Sequence, residues 1–235
     1  MPSHLARHWT FDASRVFLNH GSFGACPDFV ITEQRKWQDL MEREPVRFFE
    51  ELMPELLLKS REALGSFLSC SADDLAFVSN ATSGVNTILR SLQFKQGDEI
   101  LVPNHAYQAC RNTIDFVASR WGAKVVEVAI PFPIDGAHVV IDLMKSACSE
   151  RTKLVMIDTV TSPTGLRMPF EELTEFFEGN GVEVLLDAAH GIGMIPLNLE
   201  KLGASYVTSH CHKWLCAPKG SAFLFVRSDK QKKIQ

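Results

Sequence analysis

The sequence predicts an α/β fold, a mostly parallel sheet with helices on both faces, preceded by a helical N-terminal segment. Two observations carry this reading. From about residue 75 onward, short β-rich runs alternate with helix-length amphipathic stretches, the pattern of helices packed across a parallel sheet. The chain has 235 residues, 46% hydrophobic and 22% charged, which is the composition of an ordinary globular protein with material for one sizeable core.

Residues 1–70 read as the helical segment and 71–235 as the sheet-bearing domain. The spacing predicts helices over 29–44 and 46–68, and in the second Phe49, Leu52, Leu56, Ala63, Leu64 and Phe67 recur near the helical period. Pro54 has no amide hydrogen and predicts a kink there. These apolar positions read as packing surface rather than a ligand site. Strands follow at 76–78, 99–102, 124–128, 153–157, 183–186 and 206–208, where β-branched and apolar residues cluster. Between them helices are predicted at 83–92, 107–121, 138–148 and 170–180, the last closed by Gly179-Asn180-Gly181. A final strand, 221–226, follows Pro218-Lys219-Gly220. There is no internal repeat and no low-complexity block.

A formal charge of −4 and a pI near 6.1 argue against a nucleic-acid partner. The only basic cluster, Lys230-Gln231-Lys232-Lys233, reads as a solvated tail. Six scattered cysteines in a chain of this size read as reduced thiols. The first residues lack the apolar core of a secretory signal, and Asp12 argues against a transit peptide. No stretch is long and apolar enough to span a bilayer. The expectation is a cytoplasmic protein without a membrane partner.

Each unusual polar cluster follows a predicted strand, and in parallel α/β sheets ligands gather at the carboxyl ends of strands. The clusters are therefore expected to converge. Ser79-Asn80-Ala81-Thr82-Ser83-Gly84 opens a helix, where backbone N–H groups and hydroxyls suit a phosphate, although helix capping explains the same residues. Pro103-Asn104-His105-Ala106-Tyr107 offers two flat side chains that suit an aromatic ligand. The run from Asp158 to Gly165 supplies hydroxyls, which turn chemistry explains equally well.

Asp187 follows the apolar run Val184-Leu185-Leu186 at a strand end, and an ionised acid there needs a cationic partner. Three residues on, His190 is placed to hydrogen-bond an oxygen of the same ligand. Lys213 lies 26 residues beyond Asp187, between His210-Cys211-His212 and Trp214, among cation-forming neighbours expected to lower its pKa. An acid facing a ring nitrogen and a lysine bonded to an aldehyde are what pyridoxal phosphate requires. A metal reading of His210, Cys211, His212 and Cys216 is disfavoured, because neighbours on a strand point to opposite faces and no Cys-x-x-Cys pair exists.

The residues resemble the class V aminotransferases of fold type I, the group that includes cysteine desulfurases, and within it the isopenicillin N epimerase-like branch. The resemblance rests on Phe17-Leu18-Asn19-His20-Gly21-Ser22-Phe23-Gly24-Ala25-Cys26-Pro27, Asn80-Ala81-Thr82-Ser83-Gly84-Val85-Asn86, Asp187-Ala188-Ala189-His190 and His212-Lys213-Trp214-Leu215-Cys216-Ala217-Pro218-Lys219-Gly220. These stretches come in family order and span nearly the whole chain. The resemblance implies that Lys213 bonds the cofactor aldehyde and that Asp187 pairs with the pyridine nitrogen. His190 stands where desulfurases carry a glutamine toward the phenolic oxygen. Ala81 and Thr82 are implied to hold the phosphate, with His210 and His212 around the lysine. His105 aligns with the family's stacking residue, and Tyr107 is the alternative for that role. Ser162 falls where desulfurases tend to have asparagine, and Asn19 and His20 are implied near the substrate.

The family also continues into a C-terminal domain that supplies an arginine for the substrate carboxylate, and the sequence at Gln235 stops short of it. The expectation is therefore the large, cofactor-binding domain of a pyridoxal phosphate enzyme acting at the α-carbon of an amino acid, in the epimerase manner, and assembled as a homodimer. Tyr107 or His20 is the second acid that epimerisation needs. C–S lyase or desulfurase chemistry is the alternative, and a noncatalytic binding or interaction protein the further one.

Overall fold

A computed structural model of the chain describes residues 3–234. A strap of irregular backbone leads to α1 (Asp28–Arg43), the short α2 (Pro45–Arg47), a π-helical turn at Phe48–Leu52 and α3 (Met53–Leu68). The π-turn lies just before Pro54, where the sequence predicts a kink. Pro54 sits in the first turn of α3, where its missing N–H costs nothing, and the N–H of Met53 reaches back to the Phe48 carbonyl instead.

The alternating part then runs β1 (Leu75–Val78), α4 (Ala81–Ser91), β2 (Glu99–Pro103), α5 (Gln108–Trp121), β3 (Lys124–Val128), α6 (Ala137–Ser146), β4 (Thr152–Asp158), α7 (Phe170–Gly179), β5 (Glu183–Asp187), α8 (Leu199–Leu202), β6 (Tyr206–His210) and β7 (Ala222–Val226). The seven strands form one sheet in the order β1-β7-β6-β5-β4-β2-β3. Strands β2 to β6 pair in parallel, and β7 alone runs against its neighbours β1 and β6. All predicted strands are present.

Side chains alternate across the sheet because a strand repeats every two residues. Leu154 and Met156 of β4 face α4 and α5 with Val85, Ile88, Cys110 and Ile114. Val155 and Ile157 face the opposite layer, with Val140, Met144, Phe170 and Phe177 of α6 and α7. Leu64 and Leu68 of α3 join that second cluster, so the helical segment is packed into the sheet's own core.

Four boundaries that differ from the sequence expectation bear on the site, and each moves a polar residue into a regular element. Helix α4 starts at Ala81 because the Asn80 side chain accepts the Ser83 N–H at 2.7 Å and caps the first turn. Strands β4 and β5 extend through Asp158 and Asp187, and β6 extends through His210. Parity then puts Asp158, Asp187 and Thr208 on the face that carries α4 and α5.

Helix α4 lies directly on β6. A Cβ on Gly84 would overlap the Thr208 hydroxyl, which cannot retreat because it donates to the Phe223 carbonyl at 2.9 Å. Gly84→Ala is expected to lower stability by about 1–3 kcal/mol through overpacking. Urea unfolding checks this, and wild-type stability in the variant would mean that helix and strand are not in contact.

Candidate active site

The carboxyl ends of the strands open into a cavity of about 750 Å³, within the range of small-molecule sites. Asp158 and Ser162 come from the end of β4, Asp187, Ala189 and His190 from the end of β5, and His210, His212 and Lys213 from the end of β6. The first turn of α4 contributes Ala81, Thr82 and Ser83, with Asn86 one turn further, and Tyr107 stands before α5. Gly21, Ser22 and Phe23 of the N-terminal strap complete the wall.

The floor is acidic. Asp158 and Asp187 are paired in register across β4 and β5 and are 3% and 2% exposed. Asp187 accepts the Ala189 N–H at 3.0 Å and the Cys110 thiol at 3.4 Å. Asp158 Oδ2 is buried without a hydrogen-bond partner. Burial, then the neighbouring Asp187, holds the Asp158 carboxyl well above the usual carboxylate range. Burial also raises Asp187, opposed by the Ala189 N–H, the Cys110 thiol and the Lys213 charge. Two such groups in one desolvated place do not both ionise. The donors identify Asp187 as the charged member and Asp158 as the one that carries the proton.

Lys213 lines the same cavity, its Nζ 3.0 Å from His190 Nε2. The Trp214 indole N–H donates to His190 Nδ1 at 3.2 Å. Burial, with the Lys213 charge second, pushes His190 down to about 4. Burial likewise pushes His210 down to about 3, with smaller contributions from Lys213, His212 and His190. His210 Nδ1 accepts the Ala81 N–H at 3.4 Å, and its ring lies 4.5 Å from that of His212, whose Nδ1–H donates to the Ser221 carbonyl at 3.0 Å. The expectation that neighbouring imidazolium cations lower the Lys213 pKa is corrected here. The three histidines are neutral, and burial of the lysine itself is the cause, with Asp187 and Cys110 pulling the other way.

Ala81, Thr82, Tyr107, Ser162, Asp187, His190, His210, His212 and Lys213 thus share one cavity. His105 does not line it. Its ring is buried and spent on structural contacts, Nδ1 with the Thr164 hydroxyl and Nε2 with the Ile130 carbonyl, both at 3.0 Å. Of the two rings at that strand end, Tyr107 alone faces the cavity.

Asn19 and His20 are also outside the lining. Asn19 donates to the Ser22 hydroxyl at 3.3 Å, and His20 Nδ1 accepts the Ala25 N–H at 3.4 Å. The His20 ring packs among Trp9, Phe17 and Trp214 at 5.0–5.9 Å between centroids. These residues brace the strap from behind. The strap lies hard against the lysine loop, where Gly24, at φ +69°, leaves no room for a Cβ beside the His212 carbonyl. Cys211 is turned away into the core while His210 and His212 face the cavity, and all six cysteines are free thiols.

Asp158, Asn86, Trp214 and the Gly21–Phe23 wall lie within the motifs quoted from the sequence, which gave them no role in the site. For Asp158 the signal was present, since it ends an apolar strand run, Leu154 to Ile157, as Asp187 ends Val184 to Leu186.

Residues 32–235 match the Aminotransferase class-V family, and the chain belongs to it. A probable chloroplastic L-cysteine desulfhydrase of Arabidopsis thaliana is 35% identical over 226 residues, 89% of this chain and 47% of that protein. The isopenicillin N epimerase of Streptomyces clavuligerus is 30% identical over 225 residues, 95% of this chain and 56% of that protein. The chain spans about half the length of these curated relatives. Among solved structures, the cystine C–S lyase C-DES superposes with a TM-score of 0.86 at 22% identity, covering 95% of this chain and 60% of that one. The Escherichia coli cysteine desulfurase CsdA superposes with a TM-score of 0.83 at 20% identity, covering 98% and 59%. These two likenesses establish the fold alone.

Pyridoxal 5′-phosphate is the cofactor of the family, and the cavity fits it. The Asp187 carboxylate, buried at the cavity floor, matches a protonated ring nitrogen. The α4 N-terminus with its hydroxyls matches a phosphate, and an amine with a depressed pKa matches an aldehyde.

The depressed histidines make stability depend on pH. In the unfolded chain they bind protons near 6.5, whereas His190 and His210 in the folded chain stay neutral down to about 4 and about 3. Their contribution is present above the unfolded value and is lost as pH falls from there toward the folded values. Asp158 and Asp187 act in the opposite sense, because the folded chain holds their protons more tightly. His210→Gln is therefore expected to lose less stability than wild type between about pH 7 and about pH 5 in urea unfolding. Equal losses would mean that His210 is protonated in the folded chain.

Proposed function

We propose that the chain is the cofactor-binding part of a pyridoxal-phosphate-dependent enzyme that acts at the α-carbon of an amino acid, with loss of a β-sulfur from cysteine as its outcome. The observation that carries the reading is that the Asp187 carboxylate and the Lys213 amine line one cavity and act on each other's charge. Bound there, pyridoxal phosphate supplies an electron sink that weakens the bonds of an amino acid's α-carbon.

The chain's own groups do the rest. The Asp187 carboxylate, aligned by Ala189 and Cys110, holds a proton on the ring nitrogen. Ala81, Thr82 and Ser83 bind the phosphate at the helix N-terminus. Tyr107 supplies the flat face, and His190 addresses the phenolic oxygen. Lys213, whose pKa burial lowers, would be the group that takes the α-proton.

Sulfur elimination needs one base, which Lys213 provides, and desulfhydrase is the activity named for the Arabidopsis relative. Epimerisation is the second reading. It needs a second proton carrier in the cavity, and the presence of Tyr107 favours it, whereas His20 is turned to the strap.

Lys213→Ala is expected to abolish the visible absorbance of the lysine-bound cofactor, and Asp187→Ala to weaken cofactor retention by more than about tenfold, the scale of one lost charge-assisted pair. Loaded wild-type protein given L-cysteine should release sulfide. Incubation of amino acids in deuterated water should show α-deuterium, with the D-isomer appearing under the second reading. A protein that takes up no cofactor, or that exchanges no α-proton, would overturn the proposal.

A homodimer is part of the same proposal. Val16, Leu18, Phe23, Phe29 and Val46 are 64–84% exposed along the N-terminal segment, an apolar surface of the kind that partners cover. Light scattering at micromolar concentration should give twice the chain mass. A monomer would refute it.

A further inference from the structure

Both ring nitrogens of His190 are engaged, and the two contacts are not independent. Nδ1 lies 3.2 Å from Trp214 Nε1 and Nε2 lies 3.0 Å from Lys213 Nζ. An indole N–H is a donor and never an acceptor, so Nδ1 must present its lone pair. A neutral imidazole with a free lone pair on Nδ1 carries its hydrogen on Nε2. That hydrogen points at Lys213 Nζ, and only an uncharged amine has a lone pair to receive it. The reverse arrangement, an ammonium donating to Nε2, would require lone pairs on both ring nitrogens, which neutral imidazole does not have. Burial, which lowers the pKa of both His190 and Lys213, acts in the same direction as this assignment.

We propose that Trp214 is a positioning residue that locks His190 as the Nε2–H tautomer and so makes it a dedicated hydrogen-bond donor at the mouth of the lysine. The use of this donor rests on the function proposed above. When the lysine nitrogen is bonded to an aldehyde carbon, the Nε2–H is left to donate to an anionic oxygen of the ligand. A glutamine amide always has a donor to give, whereas a histidine has one on a chosen nitrogen only if its partner is specified. The Trp214 indole is itself held in place, 5.9 Å between centroids from the His20 ring of the strap. The strap therefore supports the donor although its own histidine faces away from the cavity.

Long-range ¹H–¹⁵N spectra of the cofactor-free full chain test the tautomer directly, with the spectrum of His190→Gln assigning the His190 signals. The expected wild-type pattern is a protonated Nε2 and an unprotonated Nδ1, with scalar coupling between the Trp214 indole nitrogen and Nδ1. A protonated Nδ1, or no coupling, overturns the proposal without the need for any variant. In Trp214→Phe the signals should move to a mixture of both tautomers, and an unchanged tautomer there overturns it as well.

A mutant cycle separates the lock from simple packing. Trp214→Phe should weaken cofactor retention about fivefold to tenfold in the wild-type background, the scale of one hydrogen bond, and leave it unchanged in His190→Gln. An equal loss in both backgrounds would make Trp214 a packing residue only and refute the lock. If wild type takes up no cofactor, the proposed function fails while the spectra still decide the tautomer.

Discussion

Desolvation of two carboxyl groups and one amine at a single sheet edge is the constraint on which the rest of this structure depends. Asp158 and Asp187 stand side by side because β4 and β5 pair in parallel and in register. Neither can reach water, so one proton and one cation must settle the charge. Lys213 does so only in part, since burial disfavours its ammonium form. The cavity is thus left needing a cation beside Asp187, the place that the proposed function gives to a protonated pyridine. Under that proposal, cofactor affinity and lysine reactivity share one cause.

The histidines fit this balance by staying neutral. A positive imidazolium beside Lys213 would compete for Asp187 and would repel the lysine. Instead His210 accepts from the first turn of α4, His212 donates to a backbone carbonyl, and His190 is wired between an indole and the amine. Each ring is assigned a direction of hydrogen bonding by a partner from another part of the chain. The N-terminal strap belongs to the same system. It closes the cavity with Gly21, Ser22 and Phe23 while its own histidine and aromatic rings brace Trp214.

Most of the architecture was legible because hydrophobic period and strand length are local properties. The strands around Leu101, Val155 and Leu185 read correctly, since a run buried on both faces needs apolar side chains at every position. An irregularity near Pro54 was foreseen, and its form as a π-turn just before the proline depends on how the flanking helices are held. The site was legible where a residue type had no cheap alternative, as with Asp187 and Lys213. It was illegible where the chemistry of a residue depends on its partner. His105 and Tyr107 are two positions apart and equally suited to stack. Only the contacts of His105 with Thr164 and Ile130 remove it from the cavity.

What the sequence by itself determined was the α/β layering, the convergence of polar clusters at one edge, and the pairing of an acid with a lysine across it. These follow from patterning and from the cost of burying an isolated charge. What only the tertiary structure decided was the state of each group: which carboxyl keeps its proton, which nitrogen of His190 carries its hydrogen, and why the Lys213 amine is depressed. Protonation depends on distances to neighbours and on exclusion of water, and both arise from residues such as Trp214, Cys110 and Asp158 whose proximity no spacing in the chain encodes.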